Sequence, residues 1–508
     1  MIIYPLLIPL VTAILSIILR EKSLIRDYVS IGGSLAYLIA VGVFASQVLS
    51  NGPVSYQAGG WVAPFGITLV ADPLSVLMLL ITSVVALSAN IYSWGYISDR
   101  GKESGYYGFL HFMITGISGA FITGDLFNLF VMFELVLMSS YALVAFSGSK
   151  ESLFISMKYV VLNLIGSSLM LVAIGGLYSV TGTLNMADMA QVLSQGSVNT
   201  APVLGLSALL FCVFAIKSGL VPFHFWAPPV YSNSPPPASA LMAGISKKVG
   251  IYAVIRLYIT VFSQARLPQT AFIFSGRQVS VAIGSLAGLM AALTILVGGI
   301  GALNRESLDK LLSYSSIGQI GFIYAGITVA MVTGSQAALL AALVYVVSHA
   351  VAKPALFMIS GVIESAADTS KIEELGGLSE NSSVLSASFF ISAFSLVGIP
   401  PLLGFFAKFL VFKSVLLSMP WLASILVVGA VTTLLYVSRT WLQVFFGEPV
   451  SFDTGSVSRT ELFPVIFLTV VIVVLGVQFE PVYQIVESAS NAAFDTEGYI
   501  QTVLGDTR

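Results

Sequence analysis

The amino-acid sequence predicts an all-α polytopic membrane protein with about 14 transmembrane helices. The 508-residue chain is 57% hydrophobic and only 9% charged, whereas soluble domains contain about 25% charged residues. Its mean hydropathy is +0.95, and apolar stretches of about 20 residues, the length that crosses a bilayer, recur throughout. A large soluble helical protein would need many more surface charges, so that alternative is excluded.

Fourteen apolar segments are predicted to cross the membrane, and the seventh and twelfth are interrupted at Gly219–Pro222 and Gly398–Pro401. No basic residue precedes the first segment, whereas Arg20 and Lys22 follow it. This is the reverse of the charge order in a signal peptide, so the first span is predicted to be retained. The predicted spans are 2–19, 29–50, 73–93, 107–123, 125–146, 152–180, 202–221, 237–262, 279–301, 308–331, 336–362, 384–418, 420–446 and 462–483.

The basic residues of the loops predict that the N-terminus lies outside the cell, because cytoplasmic loops carry an excess of Lys and Arg. An even number of spans places the C-terminus outside as well. With this orientation, the inner loops contain Arg20, Lys22, Arg26, Arg100, Lys102, Lys150, Arg305, Lys371 and Arg459. The outer side contains Arg266, Arg277 and Arg508.

The polar segments between the spans are too short to form separate soluble domains. No glycine-rich nucleotide-binding turn and no Walker sequence occurs, so cofactor-binding folds are expected only on other chains. The single cysteine, Cys212, excludes a disulfide framework, a cysteine-ligated zinc site and an iron–sulfur cluster. A net charge of −2 favours no nucleic-acid partner. The longer polar segments are 51–72, 182–201, 363–383, 447–461 and the tail from 485.

Two segments, Ser207–Pro222 and Ser386–Pro401, share a pattern: each begins Ser-Ala, continues with apolar residues and ends Gly-apolar-X-Pro. Paired interrupted helices in corresponding positions indicate a midplane ion site in transporters. Chance similarity between two apolar segments is the alternative. The repeat divides the chain into three N-terminal helices (1–106), a first inverted repeat of helices 4–8 (107–262), a second of helices 9–13 (279–446), and the last helix with the tail (447–508).

The stretch from Leu204 to Ile259 suggests ion movement, because it places lysines at lipid depth beside a helix break. Each ammonium there costs roughly 2.5–3.5 kcal/mol on insertion scales. Lys217 lies just before the break, and Glu134 lies near the midplane of the fifth span. The two could pair, and a pair that can be made and broken suits a proton carrier. A purely structural ion pair, or a lysine that reaches to the membrane surface, is the alternative.

Further basic residues extend this series along the chain. Lys247 and Lys248 point about 100° apart on a helix, so only one is expected to face the site; Lys248 is preferred, and Lys247 is expected to pair or reach the surface. His349 and Lys353 share one face of the eleventh span, where a neutral imidazole could relay a proton. Lys408 follows the second break and would be the last carrier before the outer face, unless it is only a structural lysine near a helix end.

Protons hop only over hydrogen-bond distances, so water, serine and tyrosine hydroxyls must bridge these carriers. The polar run Ser313–Ser316 on the tenth span is the predicted lining. The mechanism is expected to be electrostatic, because a charge moved at one site changes the proton affinity of its neighbour in a low-dielectric interior.

Five other polar residues have less certain roles. Lys158 and Arg256 could each bind a carboxylate, and His111 and Asp125 lie near span ends, where either a functional or a structural role fits. Asp72 precedes Pro73 and is predicted to be a helix N-cap.

Several of these segments resemble the antiporter-like subunits of Mrp-type multisubunit sodium/proton antiporters, membrane-bound hydrogenases and respiratory complex I, and most of all the D-type subunit of the Mrp antiporters. One departure is Ala227-Pro228-Pro229 after Phe225-Trp226, where the family usually has Leu-Pro-Asp. The segments that carry the resemblance are Thr123–Tyr141, Lys158–Asn163, Val180–Ala187, Gly219–Trp226, Ser239–Tyr252, Arg305–Gly321 and His349–Lys353.

The resemblance implies a fourteen-helix subunit with two inverted five-helix repeats, each with a broken helix. It implies a Glu134–Lys217 pair, a connecting Lys248 and an exit lysine, Lys408. It further implies a secondary transporter subunit rather than an enzyme, without cofactor or metal, in a prokaryotic plasma membrane. Its expected partners are other membrane subunits, protons and Na⁺.

Three alternatives compete with this hypothesis. The same channel could serve a complex driven by redox subunits on other chains, and the sequence scarcely separates the two. A haem-binding enzyme is disfavoured, because the three histidines lie on separate spans without a pair at comparable depth. A structural scaffold would have no reason to keep so many midplane lysines.

Overall fold

The computed structural model describes residues 1–196, 198–268, 276–448 and 457–505, and it confirms an all-α membrane protein. Within these ranges, eleven helical segments are long and apolar enough to cross a bilayer, and three shorter apolar helices accompany them. The exact number of spans, fourteen, stays a prediction. Arg508, one of the basic residues assigned to the outer side, lies outside the described residues.

The helices up to the middle of the chain follow the predicted spans closely. Two π-helical segments, Met242–Ser246 and Ile255–Val261, flank the last of them. These helices are α1 (Tyr4–Ile18), α2 (Ser23–Asn51), α3 (Pro73–Tyr96), α4 (Asp99–Glu103), α5 (Tyr106–Ile122), α6 (Leu126–Val144), α7 (Lys150–Thr181), α8 (Met186–Ser194), α9 (Ala201–Ser218), α10 (Ala227–Asn233), α11 (Pro236–Leu241) and α12 (Lys247–Val254).

The second half repeats the pattern of long helices with one break, between α17 and α18. Its helices are α13 (Val279–Leu303), α14 (Leu308–Thr333), α15 (Gln336–Ala367), α16 (Leu378–Asn381), α17 (Ser383–Val397), α18 (Leu403–Ser418), α19 (Pro420–Phe446), α20 (Arg459–Val477), α21 (Phe479–Phe494) and α22 (Thr496–Leu504).

Helix α15 forms the centre of the molecule. Every residue from Ala338 to Ile363 is buried, and the helix packs against α3, α11, α14, α17, α18, α20 and α21. By contrast, α2, α7 and α19 expose large apolar side chains, as expected of helices that face lipid. His349 and Lys353 on α15 therefore meet protein on all sides.

A polar layer lies at the end of the bundle where α3 and α6 begin. The segment 51–72, predicted to be a polar loop, contains an antiparallel hairpin of β1 (Val54–Gln57) and β2 (Thr68–Ala71). Single β-bridges join Leu69 to Thr123 and Asp125 to Asn185. The hairpin thus ties together loops from three parts of the chain.

The tail from 485 was predicted to be a polar linker, and this expectation is wrong. Helices α21 and α22 occupy it, and Val482, Val486, Ala489 and Ala493 are buried along one face of α21. Their spacing of three and four residues is typical of an amphipathic helix. Gln57 in β1 donates a hydrogen bond to the carbonyl of Val503, which places α22 in the polar layer.

A cluster of buried charges marks the other end of the bundle. Arg26 was assigned to an inner loop, but it lies on α2 and is fully buried. Its Nε lies 2.9 Å from Asp27 Oδ1, and Lys102 Nζ lies 3.3 Å from Asp27 Oδ2. Asp99 also approaches Arg26, but its side chain is 72% exposed.

Asp27→Ala is expected to lower the free energy of unfolding by about 3–5 kcal/mol, because it leaves two buried cations without their shared carboxylate. Asp99→Ala is the matched control and should cost at most about 1 kcal/mol, because that carboxylate is exposed to solvent. Thermal unfolding of the purified proteins compares the two. Equal destabilisation would show that Asp27 has no special role in the cluster.

Candidate functional site

The basic residues predicted at lipid depth are indeed buried in the protein. Lys247, Lys248, His349 and Lys353 have no exposed surface, and Lys217 is 6% exposed. The Nζ atom of Lys408 is also buried. A buried ammonium is costly unless polar groups surround it, so the contacts of each residue indicate what it can do.

Glu134 and Lys217 do not form the predicted direct ion pair within the described structure. Each instead contacts a polar side chain of α7: Ser167 donates a hydrogen bond to Glu134 Oε1, and Lys217 Nζ donates to Asn163 Oδ1 over 3.1 Å. Asn163 and Ser167 are four residues apart and share one face of α7. This face therefore connects the acid on α6 to the lysine on α9.

Both predicted helix breaks are present, and each is placed beside a lysine. Gly219 ends α9 and Gly398 ends α17, both with left-handed backbone (φ 73° and 93°), which glycine adopts without penalty. A Cβ atom at Gly219 would lie 3.6 Å from Lys247 Nζ, and one at Gly398 would lie 3.1 Å from Lys408 Cδ. The two breaks thus have similar surroundings in the two halves of the chain.

The two adjacent lysines of α12 are both buried, and each contacts a different helix. Lys248 Nζ lies 2.6 Å from His349 Nδ1 on α15. Lys247 Nζ donates to Ser316 Oγ on α14 over 3.4 Å and lies 4.8 Å from the centre of the Tyr231 ring. They point to different helices, as their rotation about the axis requires, but neither reaches the membrane surface.

A second hydrogen-bonded chain starts at Lys353, four residues after His349, and continues through the second half. Lys353 Nζ donates to Ser315 Oγ over 2.7 Å, and Ser315 lies 2.7 Å from the Tyr436 hydroxyl. Gln319 Nε2 donates to that hydroxyl over 3.4 Å, and Gln319 Oε1 accepts from Tyr345. Every group in this chain can both receive and give a hydrogen bond or carries an exchangeable proton.

Lys408 lies at the far end of this chain. Its Nζ has no hydrogen-bond partner among the described residues and lies 5.0 Å from the centre of the Phe322 ring. Phe322 in turn stacks on Tyr345. A buried ammonium held only by an aromatic face has room for one more polar partner, such as water.

The remaining candidate residues lie away from this series. Lys158 is exposed on α7, 4.1 Å from the Phe154 ring centre. His111 is buried and contacts Ser30 at 3.0 Å. Asp125 caps α6 by accepting from the Asn128 amide over 2.7 Å.

Asp72 is an N-cap, as predicted, and accepts from the Ser75 amide. It also forms a buried ion pair with Arg256, with 2.6 Å between Oδ2 and Nη2. The sequence suggested that Arg256 could hold a carboxylate, and Asp72 is that carboxylate.

The sequence did not single out the polar residues that connect the carriers. Asn163, Ser167, Gln319, Tyr345 and Tyr436 were not selected, although each is buried within an apolar span. Of the predicted lining, Ser315 and Ser316 contact lysines, whereas Ser313 bonds only to its own helix. The sequence signal that could have identified these connecting residues is a polar side chain in the middle of a predicted apolar span.

The buried polar residues of this region are mainly amines, amides and hydroxyl groups. In the part of the chain that the structure describes, no group of three or more His, Cys, Asp or Glu side chains could hold a metal ion. Instead, one carboxylate and several amines alternate with amide and hydroxyl groups across α6, α7, α9, α12, α14, α15 and α18.

Two protein families match the chain. The family described as NADH:quinone oxidoreductase/Mrp antiporter, transmembrane, matches residues 123–434. The family described as NADH-ubiquinone oxidoreductase (complex I), chain 5 N-terminus, matches residues 59–110. The curated D-type subunit of the Na⁺/H⁺ antiporter of Bacillus subtilis (strain 168) is 34% identical over 506 residues, which cover 99% of each chain.

Solved structures agree with these sequence matches. A chain in the structure of the Mrp complex from Dietzia superposes with a TM-score of 0.89 at 25% identity and covers 99% of each chain. A chain in the membrane-bound sulfane sulfur reductase, an archaeal respiratory membrane complex, superposes with a TM-score of 0.90 at 26% identity and the same coverage.

Proposed function

We infer the function from one premise: the chain belongs to the family of antiporter-like membrane subunits found in Mrp-type Na⁺/H⁺ antiporters and in NADH:quinone oxidoreductase. We propose that it conducts protons within a multisubunit Na⁺/H⁺ antiporter in a prokaryotic plasma membrane, with its N-terminus outside. It then acts as a secondary transporter subunit and not as an enzyme.

The single observation that carries this proposal is the buried series of proton-exchanging groups across the centre of the fold. It comprises Glu134, Lys217, Lys248, His349, Lys353 and Lys408, with hydroxyl and amide groups between several of them. A static scaffold would not need so many unpaired amines at this depth, because each one costs stability.

In this proposal, protons reach the series at Glu134 and Lys217, and the polar face of α7 lets charge shift between them. A change at Lys217 alters the field at Lys247 and Lys248, and His349 passes the change to Lys353. The chain through Ser315, Tyr436 and Gln319 extends toward Lys408, and water would bridge the final gap to its ammonium.

We further propose that 107–262 and 279–446 are inverted repeats, with 1–106 and 447–508 outside them. The support is the pair of glycine-terminated helices, α9 and α17, each followed by a proline and each with a lysine against its final glycine. Half-helices of this kind surround ion sites in transporters.

Na⁺ is proposed as the exchanged cation from the names of the relatives, and its binding site is expected on other membrane subunits. A redox-driven complex is the second candidate, because the sulfane sulfur reductase chain matches this fold as well as the Mrp chain does. The set of proteins that copurify with the chain separates the two: small membrane subunits alone support the antiporter, and metal-cluster subunits support the redox complex.

The proposal is tested by proton exchange in inverted membrane vesicles from a host that lacks its own antiporters. Adding Na⁺ should collapse a respiration-generated pH gradient only when the chain and its partner subunits are present. No response to Na⁺ or to any other monovalent cation, with the complex assembled, would contradict the antiporter function.

Tyr436→Phe is expected to slow proton exchange about tenfold, which corresponds to about 1.4 kcal/mol in the barrier, because it removes the hydroxyl between Ser315 and Gln319. Tyr37→Phe is the matched control. That tyrosine is equally buried and bonds to Ser118 at 2.7 Å, but it lies outside the series. Equal rates in the two variants would exclude the Tyr436 hydroxyl from the pathway.

A further inference from the structure

A second line of polar side chains lies on the helix that carries Lys248. It runs from this lysine toward the polar layer that contains the β1–β2 hairpin. Lys248, Tyr252 and Arg256 recur every four residues, and all three are buried. Side chains at this spacing share one helix face. The contact between Tyr252 and Arg256, with 3.3 Å between the hydroxyl and Nη2, confirms that these two do.

The hydroxyl of Tyr252 is the branching point of this line. It donates to the carbonyl of Phe121 over 2.7 Å and lies 3.1 Å from Ser75 Oγ. On its far side, Arg256 Nη2 lies 2.6 Å from Asp72 Oδ2. Hydroxyl, guanidinium and carboxylate groups thus lie in continuous hydrogen-bond contact from the middle of α12 to the start of α3.

The C-terminal helix α22 covers the end of this line. The ring centre of Tyr499 lies 4.8 Å from the Arg256 guanidinium carbon. Two buried polar atoms here lack a partner among the described residues: Arg256 Nη1 and the Tyr499 hydroxyl. Beside Tyr499, a cavity of about 40 Å³ is lined by Asp72, Asp495 and Thr502, a volume that suits a single water molecule.

A purely structural ion pair does not explain these features. An ion pair that only held the start of α3 to the segment Ile255–Val261 would be most stable with every polar atom hydrogen-bonded. Each unsatisfied buried group costs about 1–3 kcal/mol. Here Arg256 Nη1 and the Tyr499 hydroxyl have no partner among the described residues, and a water-sized space lies against Tyr499 and Asp72. Such an opening is what a route for protons requires.

We propose that Lys248 exchanges protons with the outer face through Tyr252 and the Asp72–Arg256 pair, and that Tyr499 closes this route in the present conformation. The inference rests on the proposed function and gives the first half of the chain its own outer access, which works together with Lys408 so that loss of either one slows exchange. Tyr252 relays by accepting a proton on its oxygen from a water next to Lys248 while it gives its own to a water next to Asp72; Arg256 stays protonated throughout and positions the Asp72 carboxylate. If α22 moved by the width of one side chain, water from the outer side could contact the Asp72 carboxylate.

Antiport in vesicles provides the first test. Tyr252→Phe should slow Na⁺-driven proton exchange at least fivefold, whereas Tyr258→Phe should not. Tyr258 is a buried tyrosine of the same span that bonds to the carbonyl of Ser207, so it controls for loss of a buried hydroxyl. Lys217→Ala, measured in parallel, tests the proposed function itself.

These outcomes can be told apart. If Lys217→Ala retains normal exchange, the proposed function falls and this inference with it. If Lys217→Ala is inactive but Tyr252→Phe matches Tyr258→Phe, only the outer route is overturned.

Cysteine accessibility tests the route without relying on transport. In the intact complex carrying Cys212→Ser, Ser75→Cys should react with a small, membrane-impermeant thiosulfonate added outside, and Tyr499→Ala should raise that rate at least tenfold. Ser207→Cys, equally buried near the outer end of α9, is the control and should stay unlabelled. Failure of Ser75→Cys to exceed Ser207→Cys in the Tyr499→Ala background would overturn the proposal.

Discussion

Lys217→Ala is expected to reduce Na⁺-driven proton exchange to background, at least about 100-fold, or about 2.7 kcal/mol in the barrier. Lys217 is the lysine nearest Glu134 through the polar face of α7, and alanine there leaves Asn163 facing an apolar side chain. Dye-monitored collapse of the pH gradient in inverted vesicles measures the loss. The amount of assembled complex must stay unchanged for the comparison.

Lys413→Ala is the control for this variant. Lys413 is also a lysine of a membrane helix, α18, but its side chain is exposed, so its removal should change the rate less than twofold. Near-normal exchange in Lys217→Ala would show that the acid and lysine of the first half serve only to hold helices together.

Lys248→Ala should be as severe as Lys217→Ala, because it removes the only basic group that contacts Nδ1 of His349 within the described structure. The preference for Lys248 in the sequence analysis predicts a milder effect for Lys247→Ala than for Lys248→Ala. The burial of Lys247 against Ser316 leads us to expect a loss of at least about tenfold there too, or about 1.4 kcal/mol. The same vesicle assay, with both variants at matched expression, ranks them.

The two lysine variants also test how charge crosses between the halves of the chain. Lys247 lies between Gly219 and Ser316. A large loss of proton exchange in Lys247→Ala would therefore indicate that Lys247 takes part in charge transfer between the two halves. A normal rate for Lys247→Ala would restore the view that Lys248 alone connects the two halves.

The fold class and the buried lysines could be predicted from the sequence, because both depend on local signals. About 20 consecutive apolar residues predict a transmembrane span. A lysine within such a stretch is easily recognised because it is charged. The break in the twelfth span was visible as Gly398 followed by two prolines. The same reasoning found Lys217, Lys248 and Lys408 before any contact was known.

The contacts between helices could not be predicted in this way. That Asn163 and Ser167 would separate Glu134 from Lys217 depends on how α7 packs between α6 and α9, and one sequence contains no signal for that. Both Lys247 and Lys248 are buried because every residue of α12 is buried, and helical spacing in the sequence does not show that a helix is enclosed on all sides.

The β1–β2 hairpin of the polar layer could not be predicted from the sequence for a different reason. Its strands have four residues each, too few for a pattern to emerge from a polar loop. The buried stripe of α21 begins at Val482 and Val486, but the polar residues that follow favour a linker: Glu487, Ser488, Ser490 and Asn491.

Comparison of Lys408→Ala with Lys217→Ala, in proteoliposomes that contain the purified complex, tests the central idea most directly. If one connected series carries protons through both halves, loss of the last amine should stop Na⁺-driven proton flux as fully as loss of the first. Normal flux in Lys408→Ala alongside none in Lys217→Ala would show that the first half conducts alone and would contradict a continuous series.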